Sequence, residues 1–535
     1  MRGSSGGSTA GTGATRTEMK DGLGRVELSR RRFVRAAAIG GAMAGSGAAA
    51  GLLESVPAGA AGSLVATSPD MHLLRRATFG PTQDLVREVR RIGRRRWLDR
   101  QLDPSSINDN FCQDYVDDRY PDLGMTVRRA FNTLGGSWDL MYALGQAAIV
   151  RAAWSNRQLL EVMVDFWSNH LNVTNPHEAC WWSRHDYDRR VIRKHALGKF
   201  SSMLRASATH PAMMMYLNNA ESSRNNPNEN YGREILELHS VGVDGGYDED
   251  DMRQSTMILT GFGISWDTGE FEYHPWDHYV GPVDVMGFHR ANRSEKRGEV
   301  VGLAYVDYLA HHPATAERIA RKLCYRFVSD QPPMSLVEAL AETYLDHDTA
   351  IVPVLERLFR SKAFEASLGQ KVRRPFEDVA ATLRILNIRP DPDGVDGQQG
   401  LYWMTEGLGH LPMGWVPPDG YPDTGDPWRS AGLTLGRWNM HVGLAAGWWP
   451  ANHLKVRNLR KNVLPKRLPA THGDLVDVLA KRLVFRKLPA AHRSAVLAFL
   501  GRSAGDPLDE DDAAVDWRLP YLVALILDTP SHGIR

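Results

Sequence analysis

Gln158-Leu159-Leu160-Glu161-Val162-Met163-Val164-Asp165-Phe166-Trp167-Ser168-Asn169-His170 is the stretch on which the fold class turns. At about 100° per residue, Leu159, Met163, Phe166, Trp167 and His170 share one broad apolar face, and Glu161, Asp165, Ser168 and Asn169 fall on another. That pattern predicts a helix packed on a core along one side. Around it, residues 140–171 read as one long or broken helical region. Residues 87–102 read as a basic amphipathic helix with Leu85, Val89, Ile92 and Leu102 inward. Further helical periods cover residues 189–208, 231–241, 249–260, 313–328, 336–345, 351–359, 375–386, 473–483, 492–500 and 517–527. Strand-like alternation is scarce, and residues 269–274 are the best candidate for a short hairpin arm. The expectation is an all-α, mainly helical protein: one large multi-helix domain with long loops and at most a few short strands. Pro/Gly-rich breaks near 390–400 and 417–427 divide it into a main part, 66–400, and a Trp-rich helical part, 401–535, packed on it.

Composition excludes several classes. The chain has 535 residues, 43% hydrophobic and 24% charged, which is ordinary for a globular protein. A chain this long can bury a large core without disulfides or a structural metal. The net charge of +1 supplies no global field toward nucleic acid or an acidic membrane. Cys112, Cys180 and Cys324 lack metal-type spacing and allow at most one disulfide.

The first 60 residues read as an address. A Gly/Ser/Thr-rich start cannot order itself. Ser29-Arg30-Arg31-Arg32-Phe33-Val34-Arg35 then matches the twin-arginine export pattern. An Ala/Gly-rich stretch, residues 36–53, follows, and Ala58-Gly59-Ala60 offers a small-x-small cleavage site. The stretch is too short and glycine-rich for a good membrane span. The expected mature chain is exported, extracellular, periplasmic or cell-wall associated, with no transmembrane span. Twin-arginine substrates cross folded, and many load a cofactor first, so a bound metal becomes a reasonable expectation.

Several segments, taken in order, carry a family resemblance. They are Met71-His72-Leu73-Leu74-Arg75-Arg76-Ala77-Thr78-Phe79-Gly80-Pro81-Thr82, Asp165-Phe166-Trp167-Ser168-Asn169-His170, and Asn228-Glu229-Asn230-Tyr231-Gly232-Arg233-Glu234-Ile235-Leu236-Glu237-Leu238-His239. Later pieces are His312-Pro313-Ala314-Thr315-Ala316 with Lys322-Leu323, residues 371–377, and Pro418-Asp419-Gly420-Tyr421-Pro422 with Trp428. From Met71 onward the chain resembles the bacterial family catalogued as domain of unknown function 1800. The resemblance implies export and brings no activity with it. The family's His-Asp-x-Gly-x-Lys segment stands here as His278-Tyr279-Val280-Gly281-Pro282-Val283, without the Asp and Lys.

The candidate chemistry lies on two of these helices. His170 points to the core, where its two ring nitrogens need hydrogen bonds or a metal. Asn230, Arg233, Glu234 and Glu237 lie within about 100° of arc, with His239 on the apolar side. Arg233 and Glu237 have i, i+4 ion-pair spacing. Glu234 and Glu237 could instead bind a hard metal or share acid/base work. The expected metal set is Asp165, His170, Glu237 and His239, with Asn230, Arg233 and Glu234 as catalytic candidates. Asp165 is the outlier, because it does not share a face with His170. His185-Asp186 is a further imidazole–carboxylate candidate, while Asp248 reads as a helix N-cap rather than the start of a calcium loop. No Gly-x-Ser-x-Gly, P-loop, dinucleotide or His-Glu-x-x-His signature occurs.

The function expected is a metal-dependent exported enzyme, hydrolytic or oxidative, with a divalent or transition metal ion as cofactor. The alternative is a non-catalytic envelope protein that binds polysaccharide or another exported protein. Exposure of Trp403, Trp415, Trp428, Trp438, Trp448 and Trp449 would favour that alternative. The basic run of Lys455, Arg457, Arg460, Lys461, Lys466 and Arg467 reads as solvated surface.

Overall fold

One hydrophobic core draws on side chains from Met71 to Leu527, so both ends of the described chain are built into it. The computed structural model describes residues 68–450, 454 and 458–535. The twin-arginine stretch and its cleavage site, with Lys455 and Arg457, lie outside those residues. The protein is a mainly α single domain with two small antiparallel hairpins. Among the described residues no helix is long and apolar enough to cross a membrane.

The helices that build the site are α1 (Pro69–Ala77), α2 (Asp139–Trp154), α3 (Gln158–His170), α4 (Glu229–Glu234), α5 (Pro313–Phe327), α6 (Pro375–Ile385), α7 (Ala431–Ala446), α8 (Leu519–Leu527) and α9 (Pro530–Gly533). Proline in the first turn of α1, α5, α6, α8 and α9 supplies a fixed φ where no N–H is needed. Residues 140–171 are broken: Ser155, in extended backbone, ends α2 just before α3. The region 231–241 begins as α4 and widens into a π-turn, Ile235–His239.

Two details differ from the sequence expectation. The basic helix at 87–102 is two helices, Gln83–Ile92 and Arg94–Leu102, because Gly93 between them takes φ +84°, which no helix interior accepts. The arm at 269–274 contains β2 (Phe271–Tyr273), paired with β1 (Phe262–Ile264), while β3 (Val283–Val285) and β4 (Phe288–Arg290) form a second hairpin with no clear alternation in the sequence. Asp248 is an N-cap with a capping box to Asp251. All three cysteines are buried and free.

A buried ionic network ties distant elements together at the start of α6. The Glu377 carboxylate sits in the first turn, where the helix dipole favours negative charge. It accepts from the Arg374 backbone N–H at 3.0 Å and from Arg374 Nη2 at 3.1 Å. It also pairs with Arg326 of α5, and with Arg535 at 3.1 Å. Arg374 and Arg326 reach Asp165 of α3 as well. The segment before α6 runs antiparallel to the chain's end: the Arg535 N–H donates to Lys371 O at 2.9 Å, and the Arg373 N–H to Gly533 O at 2.8 Å. From α1, Arg75 donates to Ser531 O and Ile534 O at 3.0 and 2.8 Å.

Removing one member of such a network leaves the others charged and unpaired in the core. Glu377→Gln is expected to cost about 3–5 kcal/mol of unfolding free energy. Urea titration measures this, and a loss below about 1 kcal/mol would contradict the network's role. A second expectation concerns buried neutral histidines. His72 Nε2 faces Phe364 O at 2.7 Å, and His185 Nε2 faces Met125 O at 3.1 Å. Burial, then the nearby Arg76, holds His72 down to about 3, and burial holds His185 down to about 4. The unfolded chain takes up these protons below pH 6.5 and the fold refuses them. Stability should therefore be complete above about pH 6.5 and fall below it, by about 1.4 kcal/mol per pH unit for each such group. Urea titrations at about pH 6.5 and 5 should show the fall. His72→Gln should make it shallower, and an unchanged slope would count against a neutral His72.

Candidate metal centre

The structure divides the residues singled out from the sequence among three places. Asp165 faces the arginine network: burial raises its carboxyl, but Arg374 and Arg326 outweigh that and hold it below the usual carboxylate range. Its charge is thus already matched by two guanidiniums, on the side of α3 away from His170. His170 and His239 come together in the core, with His170 Nε2 3.1 Å from the backbone oxygen of His239. Burial holds both imidazoles in the neutral form, His239 down to about 3. Asn230, Arg233, Glu234 and Glu237 lie on the outer side of α4 and the π-turn, where Asn230 is exposed and the other three are half-buried. Arg233 pairs with Glu237 at 3.4 Å and with Glu229 at 3.5 Å. Burial and the neighbouring Glu237 raise the Glu234 carboxyl. His185 does not pair with Asp186. His210 does, at 3.2 Å, because adjacent helical side chains point apart.

Among the described residues, one group of three side chains converges its ligand atoms as a metal would need: Asp378, His441 and His532, within 4.8 Å of one another. None of the three is among the residues singled out from the sequence. Asp378 follows Glu377 in the first turn of α6, His441 lies on α7, and His532 lies on α9. The three are 0%, 2% and 4% exposed, so solvent does not satisfy their polar atoms. His532 Nε2 is 2.8 Å from Asp378 Oδ1, and His441 Nε2 is 3.4 Å from Asp378 Oδ2. Yet Asp378 Oδ1 and both Nε2 atoms lack a hydrogen-bonded partner. The three atoms lie close together outside hydrogen-bond geometry, an arrangement that one shared ion would satisfy.

The surroundings suit that reading in part. His441 Nδ1 donates to Asp528 Oδ1 at 2.7 Å, the carboxylate support that orients a ligating imidazole. The Arg437 Nε–H donates to Asp378 Oδ2 at 2.6 Å, leaving Oδ1 as the free oxygen. Burial, then Arg373, holds His532 down to about 3, so it is neutral and able to ligate. Burial alone would lower His441, but Asp378 and Asp528 outweigh it and raise it to about 9. A metal would have to displace that proton. No sequence spacing announces the trio, since its members come from three separate helices. The one local signal is that Asp378 adjoins the 371–377 segment.

The C-terminal tryptophans are mixed. Trp403 and Trp448 are exposed, Trp415, Trp438 and Trp449 half-buried, and Trp428 buried against His410 at a ring-centroid distance of 4.7 Å.

Comparison with known proteins places these motifs in one family. The family described as "Protein of unknown function (DUF1800)" matches residues 72–533. No curated protein and no solved structure matches the chain. The match spans Asp165, Arg326, Arg374 and Glu377 of the ionic network and all three members of the trio, and by it the chain belongs to the DUF1800 family.

Proposed function

We propose that this protein is an exported metal-dependent enzyme whose metal is held by Asp378, His441 and His532. The observation that carries the reading is the set of three buried, unpartnered ligand atoms within 4.8 Å. Export rests on the twin-arginine pattern around Arg30-Arg31. Two imidazoles and one carboxylate are too few to close a coordination sphere, and structural centres usually have four protein ligands. Open positions are the mark of a catalytic centre. The same donor set serves zinc hydrolases and non-haem iron oxygenases. The metal bound after native export therefore assigns the reaction class: zinc points to hydrolysis, iron to oxidation. Asp528 would hold the His441 ring, and Arg437 would fix the second oxygen of Asp378. The enclosure restricts the reactant at the metal to a small one.

A second reading has its own support. With His441 protonated between Asp378 and Asp528, and Arg437 on Asp378, the same side chains balance their charges as a helix lock. The protein would then be a non-catalytic envelope component, and the exposed Trp403 and Trp448 would be its first candidates for contact with polysaccharide or another exported protein.

Metal analysis of the natively exported protein separates the two. The metalloenzyme reading expects about one equivalent of a transition metal, lost in His532→Ala with the fold intact and retained in His170→Ala. A metal-free protein in which His532→Ala costs about 1–3 kcal/mol would establish the lock instead.

A further inference from the structure

A different cluster, on the inner side of α3 and the π-turn, has an excess of donors and little to accept from them. His239 is fully buried, and neither of its ring nitrogens has a partner. His170 is 1% exposed; its Nε2 faces the His239 carbonyl, and its Nδ1 is unpartnered. The Tyr231 hydroxyl, on a ring 6.2 Å from that of His239, is buried and unpartnered too. Along α5, Arg318 and Lys322 lie one turn apart and therefore on one face. Both act electrostatically on His170 and His239. Arg318 Nη2 donates to Leu238 O at 3.2 Å, holding the π-turn to α5, and its Nε is unpartnered. Among the described residues neither cation is ion-paired. Asp419 and Asp423, on the neighbouring loop, act on Lys322 only from a distance.

The loop that closes this region is fixed by close packing. A Cβ on Gly420 would lie 2.1 Å from Asn169 O, and the Tyr421 N–H donates to Asn169 Oδ1 at 3.0 Å. The Pro418–Pro422 loop is thereby seated on the end of α3, next to His170. The π-turn matters for the same reason. The wider turn departs from the straight helix that would continue α4, and such turns concentrate at functional sites.

Ammonium and guanidinium groups only donate. The neutral His239 imidazole can donate, and the Tyr231 hydroxyl can as well, whereas the one N–H of His170 is given to the His239 carbonyl. A metal cation would be repelled by Arg318 and Lys322. The group lacking here is an acceptor with negative charge. We infer that His239, Tyr231, Lys322 and Arg318 form a second binding site, distinct from the Asp378 centre, for a small oxyanion: a carboxylate or a phosphate group. Lys322 neutralises it, the His239 imidazole and the Tyr231 hydroxyl supply neutral donors, and Arg318 adds positive charge while it holds the turn. Burial holds the Lys322 ammonium below its usual range, and Asp423 and Asp419 offset that only in part.

The test is calorimetric titration of the full chain with acetate and, separately, with inorganic phosphate. Saturable binding of either is expected, and the one that binds names the ligand group. Lys322→Met should weaken it about tenfold or more, the effect of losing one charged hydrogen bond. Lys461→Met, on the exposed surface, should leave it unchanged. Thermal unfolding shows whether Lys322→Met is folded; if it is not, His239→Gln replaces it with the same expectation. No saturable binding of either anion would overturn the inference, because the donors would then be satisfied by water alone. Wild-type affinity in the folded Lys322 or His239 variant would overturn it as well.

Discussion

The candidate metal centre and the ionic network beside it are arranged around two adjacent carboxylates, Glu377 and Asp378, buried in the first turn of α6. Two acids side by side in a core are tolerable only if each is surrounded by cations or ligands. Helix geometry turns successive side chains apart, so each recruits its own set. Glu377 gathers Arg326, Arg374 and Arg535. Asp378 gathers Arg437, His441 and His532. Those partners come from α5, the approach to α6, α7 and the chain's end. Satisfying two charges thus dictates how these elements meet, and that is a stronger constraint than apolar packing, which tolerates rearrangement.

The same requirement explains why the helix that decides the fold class splits its polar residues between two places. Asp165 lies on the side of α3 that meets the guanidiniums of Arg326 and Arg374, so it is part of the network. His170 lies on the other side, against Phe166, Trp167 and Phe200, where its partners are the π-turn and α5. One helix therefore contributes to an ionic lock and to a cluster of unpartnered polar groups at once. A metal at His170 is disfavoured by the cations beside it, whereas Asp378 carries a free oxygen toward two imidazoles.

Residue patterns alone determined the helical class, most helix positions, the N-cap at Asp248, the Arg233–Glu237 pair and the family, because each depends on neighbours within a turn or on segments kept in order. Periodicity also placed His170 and His239 in the core, and the structure brings them together. Tertiary structure alone decided which acids meet cations and which meet imidazoles. Asp378, His441 and His532 lie on separate helices with no shared spacing, and what joins them is the docking of the chain's end beside α6. Asp165, the outlier of the expected metal set, is claimed by arginines from two distant elements. A carboxylate's role is set by the charges that surround it, and those charges are brought by long-range packing that no local pattern records.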